Sequence, residues 1–82
     1  MELSDTENQR KILEELAFAK MPFGKYSGKF LSELPEAYVI WFRQKGFPSG
    51  KLGTQLEQIY EIKLNGLEEL LRNIRRLKNV GK

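Results

Sequence analysis

The sequence contains no cysteine and no histidine among its 82 residues. A disulfide framework and a zinc site of the Cys/His type are therefore excluded. The same absence removes the thiol nucleophile and the imidazole base, which excludes Cys-His and Ser-His-Asp catalysis. Because secreted domains of this size are usually held together by disulfides, the composition predicts a cytoplasmic protein.

Long apolar runs are absent as well. No stretch approaches the roughly 20 residues that a membrane-spanning helix needs, and residues 1–8 are too polar for a signal peptide. We therefore expect no membrane partner. Hydrophobic residues still make up 40% of the chain, which is enough for one modest core. We expect residues 1–82 to form one domain whose last residues, 79–82, fray.

No catalytic or ligand-binding motif is complete. The loop Gly46–Lys51 ends in a Gly-Lys pair, but the phosphate-binding pattern requires glycine where Lys45 stands and Ser or Thr where Leu52 stands. The adjacent carboxylates of Glu68 and Glu69 fit a solvated helix face better than a metal site or an acid–base pair. We therefore expect a protein that is not an enzyme and that binds no cofactor and no metal.

Hydrophobic spacing predicts helices at both ends of the chain. A first helix runs from about residue 5 to 19 and stops before Pro22, because the residue before a proline avoids the helical region. A leucine-rich stripe over residues 52–77 predicts a C-terminal helix. Gly66 interrupts that stripe, so this helix is either bent or divided into two segments.

The middle of the chain predicts a β-hairpin followed by a buried helix. Residues 22–31 contain strand-favouring aromatic residues around the turn dipeptide Ser27-Gly28. From Pro35 to Gly46 a helix follows that is apolar on nearly every side, which is typical of a buried helix. The predicted fold class is therefore α+β: a small, mostly helical domain with an N-terminal helix, a β-hairpin, a buried helix and the C-terminal helix.

Aromatic residues cluster in this middle region. Such a set lies in the core far more often than in a cofactor pocket, so we expect most of it to be buried. Tyr26, at the tip of the predicted hairpin, is the aromatic residue that we expect to be most exposed. The side chains predicted for the core are those of Phe23, Phe30, Trp41, Phe42 and Phe47.

Basic residues flank the predicted hairpin tip. Lys25, Lys29 and Lys51 are candidates for contacts with nucleic-acid phosphates, and Tyr26 is a candidate for stacking on a base. Basic residues near helix C-termini also have a simpler explanation, because cations there complement the helix dipole. A possible secondary basic patch consists of Arg72, Arg75 and Arg76.

Several segments together resemble a small bacterial family of unknown activity that is described as a quorum-sensing-regulated virulence factor. The resemblance covers about residues 21–72. Its characteristic segments are Met21–Lys29 (MPFGKYSGK), Leu34–Pro35, Tyr38–Phe42, Lys45–Pro48 and Tyr60–Leu67.

A shorter pattern is similar to a module at the C-terminus of some DnaQ-type exonucleases. That module follows the catalytic domain, and the resemblance implies a role in handling nucleic acid. The acidic metal-binding motifs of the exonuclease domain have no counterpart here, so the resemblance implies binding without cleavage. The matching positions are Phe23, Gly24, Lys25, Tyr26, Gly28, Lys29, Leu34, Pro35, Tyr38 and Trp41.

Two functional hypotheses follow from the sequence. The first is a non-catalytic nucleic-acid-binding module that contacts phosphates with its basic β-hairpin. The alternative is an adaptor for protein–protein interaction, with a protein partner or as a homodimer through the C-terminal helix. The alternative is motivated by the leucine stripe, because a chain of 82 residues cannot easily bury every leucine in it.

Overall fold

The computed structural model describes the backbone of residues 2–80 and the side chains of residues 8–78. This part of the chain contains four α-helices and one short 3₁₀ helix. Within the described residues no helix is both long enough and apolar enough to cross a membrane. The elements are α1 (Glu2–Phe18), the 3₁₀ helix (Leu31–Glu33), α2 (Glu36–Lys45), α3 (Gly50–Leu64) and α4 (Glu68–Val80).

The predicted α+β fold class is wrong, because residues 2–80 contain no β-strand. In place of the hairpin, residues 19–30 form a loop closed by a single antiparallel bridge between Lys20 and Phe30. We call this segment the bridged loop. The amide of Leu31 donates to the carbonyl of Ala19 over 2.9 Å, which ties the two ends of the loop together.

Two glycines explain why the backbone pairing ends just past this bridge, at Met21, whose N–H donates to the Lys29 carbonyl and whose carbonyl accepts from the Gly28 N–H. Gly24 and Gly28 both have positive φ, at 79° and 89°, which is a conformation that glycine adopts without steric penalty. They curl the chain into consecutive turns, in which Ser27 N–H donates to the Gly24 carbonyl and Lys29 N–H donates to the Tyr26 carbonyl. The chain therefore turns back before either side can become a strand.

The core surrounds the 3₁₀ helix. Helices α1, α3 and α4 all contact this short element, α1 packs against α4, and α2 packs chiefly against α3. Burial of each large apolar side chain contributes about 1.5–3 kcal/mol to stability. The buried hydrophobic residues are Leu16, Ala17, Met21, Leu31, Leu34, Val39, Phe42, Leu56, Ile59 and Leu71.

The helix ends follow the local sequence. Helix α2 ends at Gly46, whose φ of 105° is unfavourable for other residues. Gly66, with a φ of 67°, lies between α3 and α4, so the C-terminal stripe forms two helices. Helix α4 includes residues 79 and 80, while residues 81 and 82 of the segment expected to fray lie outside the described residues.

Gly53 permits a close backbone approach between α3 and the loop that precedes it. A Cβ atom at this buried position would overlap the carbonyl group of Pro48. Because the obstacle is backbone, a side-chain rotation cannot relieve the overlap. The position of α3 relative to the end of α2 therefore depends on the absence of a side chain at residue 53.

We expect Gly53→Ala to lower the free energy of unfolding. Alanine would gain about 1 kcal/mol in helix propensity, but overpacking against rigid neighbours costs about 2–3 kcal/mol. Urea denaturation of this variant should show a lower midpoint than that of Thr54→Ala, a control at the exposed neighbouring position. A stabilised Gly53→Ala protein would contradict the close approach to Pro48.

Candidate functional site

An open groove with aromatic walls lies between the bridged loop and α2. One wall consists of Phe23, Gly24 and Tyr26 from the loop, and the other is built on α2 and the residue that precedes it. The groove has a volume of about 620 Å³, within the range of binding clefts. We call it the aromatic groove, and its α2 wall consists of Pro35, Ala37, Tyr38, Trp41 and Phe42.

Four of the five rings that line the groove form one continuous series. The centroids of Tyr26 and Tyr38 are 4.7 Å apart, those of Tyr38 and Phe42 are 5.1 Å apart, and those of Phe42 and Trp41 are also 5.1 Å apart. Such tilted and edge-to-face pairs contribute about 0.5–1.5 kcal/mol each beyond the area that they bury. The Tyr26–Tyr38 pair joins the loop wall to the α2 wall, so the two walls support each other.

Two of the aromatic residues predicted for the core are instead half-exposed in this groove. Phe23 is 49% and Trp41 is 48% exposed. Phe42 is buried as predicted, and Phe30 and Phe47 are partly buried. The prediction failed at Trp41 because α2 packs chiefly against α3, on one of its sides. Its opposite side is left to the groove.

Tyr26 also differs from its predicted position. It is partly buried against Tyr38 and is less exposed than Phe23 or Trp41. The Lys25 ammonium lies 5.5 Å from the centroid of the Tyr26 ring. This places a cation at the rim of a groove whose lining includes no charged residue.

The predicted phosphate-binding lysines do not lie on a hairpin. Lys25 and Lys29 belong to the bridged loop, where both are exposed. Lys51 lies in the first turn of α3, where its ammonium is 3.5 Å from the carboxylate of Glu15 in α1. Both side chains of this pair are largely exposed, at 72% and 62%, so the pair contributes little to stability.

Arg75, which was predicted as part of a secondary basic patch, is largely buried inside the structure. Its Nη1 donates to the Ala17 carbonyl over 2.6 Å and to the Ser32 hydroxyl over 2.9 Å. Its Nη2 donates to a carboxylate oxygen of Glu33 over 3.0 Å, and its guanidinium lies 4.2 Å from the centroid of the Phe30 ring. We call this set of contacts the Arg75 clamp.

The other two arginines of the predicted patch are also engaged within α4 and with the 3₁₀ helix. Arg72 donates to Glu33 over 2.7 Å and 3.2 Å and to Glu69 over 2.9 Å. Arg76 donates to Asn73 over 2.6 Å and lies 3.5 Å from Glu69. Acidic side chains of the protein therefore accompany the charges of all three arginines.

These contacts change the ionisation of the groups involved. Hydrogen bonds from Arg72, aided by the charges of Arg72 and Arg75, hold the pKa of Glu33 below its ordinary value of 4.5. Hydrogen bonds from Arg72 and Arg76 lower the pKa of the exposed Glu69 carboxyl as well. In turn, the carboxylates of Glu33 and Glu69 raise the pKa of Arg72, and Glu33 has the larger effect.

We expect Glu33→Gln to weaken the fold at neutral pH and to have less effect in acid. Because the pKa of Glu33 is lowered in the folded state, its stabilising contribution is complete above pH 4.5 and is lost as the pH falls through the folded-state value. About a third of the side chain is exposed, 34%, so we expect a loss of about 1 kcal/mol at pH 7.

Urea unfolding of the Glu33→Gln variant at pH 7 and near pH 3 checks this expectation. Its difference from the parent protein should shrink in acid. Glu57→Gln, which removes an exposed carboxylate from α3, serves as the control and should show no such loss at neutral pH. A Glu33→Gln difference that grows in acid would contradict the Arg72–Glu33–Arg75 arrangement.

The hypothesis of a nucleic-acid-binding module with a basic β-hairpin is wrong. It required a two-stranded ribbon carrying Lys25 and Lys29, and residues 2–80 form no strand. Lys51 lies on α3, where it pairs with Glu15 of α1. What the structure brings together is a set of aromatic side chains, of which Phe23, Trp41 and Phe42 were predicted for the core.

Comparisons with known proteins identify proteins that are similar to this chain in sequence. Uncharacterized protein YpeB of Escherichia coli strain K12 is 44% identical over 69 residues, which cover 83% of this chain and 96% of that protein. YpeB of Escherichia coli O157:H7 matches with the same identity and coverage. No solved structure matches the chain.

The family match covers residues 9–74 and is described as "Putative quorum-sensing-regulated virulence factor". It begins earlier than the resemblance over residues 21–72 indicated and includes the second half of α1. The matched range contains every residue of the aromatic groove. It also contains every residue of the Arg75 clamp except Arg75 itself. The chain therefore belongs to the family that carries this description, "Putative quorum-sensing-regulated virulence factor".

Proposed function

We propose that the protein is a non-catalytic interaction module that binds a segment of a partner protein in the aromatic groove. The observation that carries this proposal is the half-exposure of Phe23 and Trp41 on opposite walls of one concave surface. Because each is about half exposed, leaving them in water forgoes roughly half of the 1.5–3 kcal/mol that full burial of a large apolar side chain contributes. A partner that covers them would recover this stabilisation at the interface.

The residue types of the groove support a protein partner. Trp and Tyr are enriched among the residues that dominate binding energy at protein interfaces. They provide a large contact area and lose little conformational entropy, because they rotate about only two side-chain bonds. Trp41, Tyr38 and Tyr26 already contact their neighbours in the free protein, so few rotamers remain to be fixed on binding.

We expect peptides selected from a random library for binding to this protein to depend on the groove. Phe23→Ala and Trp41→Ala should each weaken binding about tenfold or more, as truncation of an interface hot spot does. The measurement is fluorescence anisotropy of a labelled peptide. Leu77→Ala is the matched control, because Leu77 is a large apolar residue that is 74% exposed on α4, outside the groove.

Binding that is equally strong in all four proteins would contradict the proposal, as would the absence of any selected peptide. Circular dichroism of each variant confirms that it is folded. Because Phe23 and Trp41 are half-exposed, their truncation should leave the helices in place. A Trp41→Phe variant, which retains a ring, should bind better than Trp41→Ala if the contact is aromatic.

Self-association through α4 is a second candidate, favoured by one observation. Leu70 and Leu77 are seven residues apart on α4 and are 44% and 74% exposed, and a spacing of seven places side chains on one helix face. We expect sedimentation equilibrium at high protein concentration to show a dimer that Leu77→Glu abolishes. A strict monomer at every concentration would contradict this candidate and leave the groove proposal unaffected.

A further inference from the structure

We infer that the segment bound by the aromatic groove is proline-rich, adopts the polyproline II conformation and carries an acidic residue next to its prolines. This inference rests on the proposed function, because it names the chemistry of the partner at the same site. It follows from the residue types that line the groove, from their hydrogen-bonding groups and from the charge of the rim.

Other modes of peptide recognition fit the surface of the groove less well. Addition of a β-strand requires a sheet edge, and residues 2–80 contain no strand that could offer one. An amphipathic helix inserts apolar anchors, spaced over two turns, into a hydrophobic groove. The lining of the aromatic groove includes no leucine, isoleucine, valine or methionine, so its surface consists mainly of flat, rigid rings.

Polyproline II segments bind to grooves of this composition. They dock against aromatic side chains, between which pyrrolidine rings can lie flat. Pro35 and the small residue Ala37 line the α2 wall together with the rings of Tyr38 and Trp41. The polyproline II helix is already formed in the free peptide, so binding costs little conformational entropy.

The hydrogen-bonding groups of the groove also fit such a segment. A polyproline II helix has no internal hydrogen bonds, and its carbonyl groups need donors from the partner. Tyr26 and Tyr38 supply hydroxyl groups, and Trp41 supplies an indole N–H. None of these three groups makes a hydrogen bond with another residue among the described side chains, 8–78.

The charge of the rim selects for an acidic flank. The bridged loop contains three lysines, Lys20, Lys25 and Lys29, and no acidic residue. Lys25 lies directly above the Tyr26 ring at the groove. Glu36, the acidic residue next to Pro35, lines a different cleft between α2 and α3. An acidic side chain beside the bound prolines would therefore meet a lysine without an opposing carboxylate in the groove lining.

Trp41 provides the readout, because it is the only tryptophan in the chain. Three tryptophan-free peptides are titrated while the emission of Trp41 is recorded, each about ten residues long and thus about 30 Å in polyproline II. The first is proline-rich with glutamates at both ends, the second has lysines in place of the glutamates, and the third has alanines in place of the prolines.

We expect the acidic proline-rich peptide to shift the emission and to bind about fivefold more tightly than the lysine-flanked peptide, since rim charges contribute modestly. The alanine peptide should not bind. Lys25→Glu should reverse the preference between the two proline-rich peptides. Lys11→Glu, which makes the same charge change at an exposed position on α1, should leave the preference intact.

The outcomes separate this inference from the proposed function. Library peptides that bind through Trp41 but contain no proline would overturn the inference and leave the proposed function standing. Equal binding of the acidic and lysine-flanked peptides would overturn the assignment of the acidic flank. An emission shift produced by an oligonucleotide and by none of the peptides, from the library or synthetic, would overturn both.

Discussion

The guanidinium of Arg75 is the group on which the arrangement of the helices depends most. It brings α4 into contact with the end of α1 through Ala17 and with the 3₁₀ helix through Ser32 and Glu33. It also lies against the ring of Phe30. The planar fork of donors can satisfy all these acceptors in one geometry. One side chain thus fixes the relative positions of three segments that are far apart in sequence.

The clamp also determines where the aromatic groove lies. Phe30, held under the guanidinium, forms the bridge that closes the bridged loop. After Phe30 the chain passes through the 3₁₀ helix and then through Pro35 into α2. The Lys63 ammonium donates to the Ser32 carbonyl in this 3₁₀ helix over 3.0 Å. Both walls of the groove therefore start from the same fixed segment. Walls that are fixed in advance reduce the entropy lost on binding.

Sequence patterns predicted the features that depend on local chemistry. The four helical regions and the breaks at Gly46 and Gly66 follow from hydrophobic spacing and from glycine at positive φ. Gly28 correctly indicated a turn, but the sequence did not show that Gly24 adds a second one and prevents strand pairing. Arg75 was assigned to the surface because nothing local reveals its contact with Glu33, which is 42 residues away.

Phe23 and Trp41 of the groove were predicted for the core and thus for the wrong environment. A helix that is apolar on nearly every side is buried only if neighbours cover every side, and α2 has one principal neighbour, α3. A chain of 82 residues has a limited capacity to bury apolar surface, and this limit applies to α2 as it does to the C-terminal leucines. Counting the helices available to cover it would have indicated that Trp41 is exposed.

The kind of side chain that this fold leaves uncovered is itself informative. An exposed leucine such as Leu77 loses rotamer freedom when a partner immobilises it. Trp41 is already held by its contact with Phe42, and it offers more area for less entropy. Where a small domain must leave apolar surface in water, rigid rings gathered on one concave face give a partner more affinity than scattered aliphatic residues. The aromatic groove, and not the leucine stripe, is therefore the surface on which the strongest binding is to be sought.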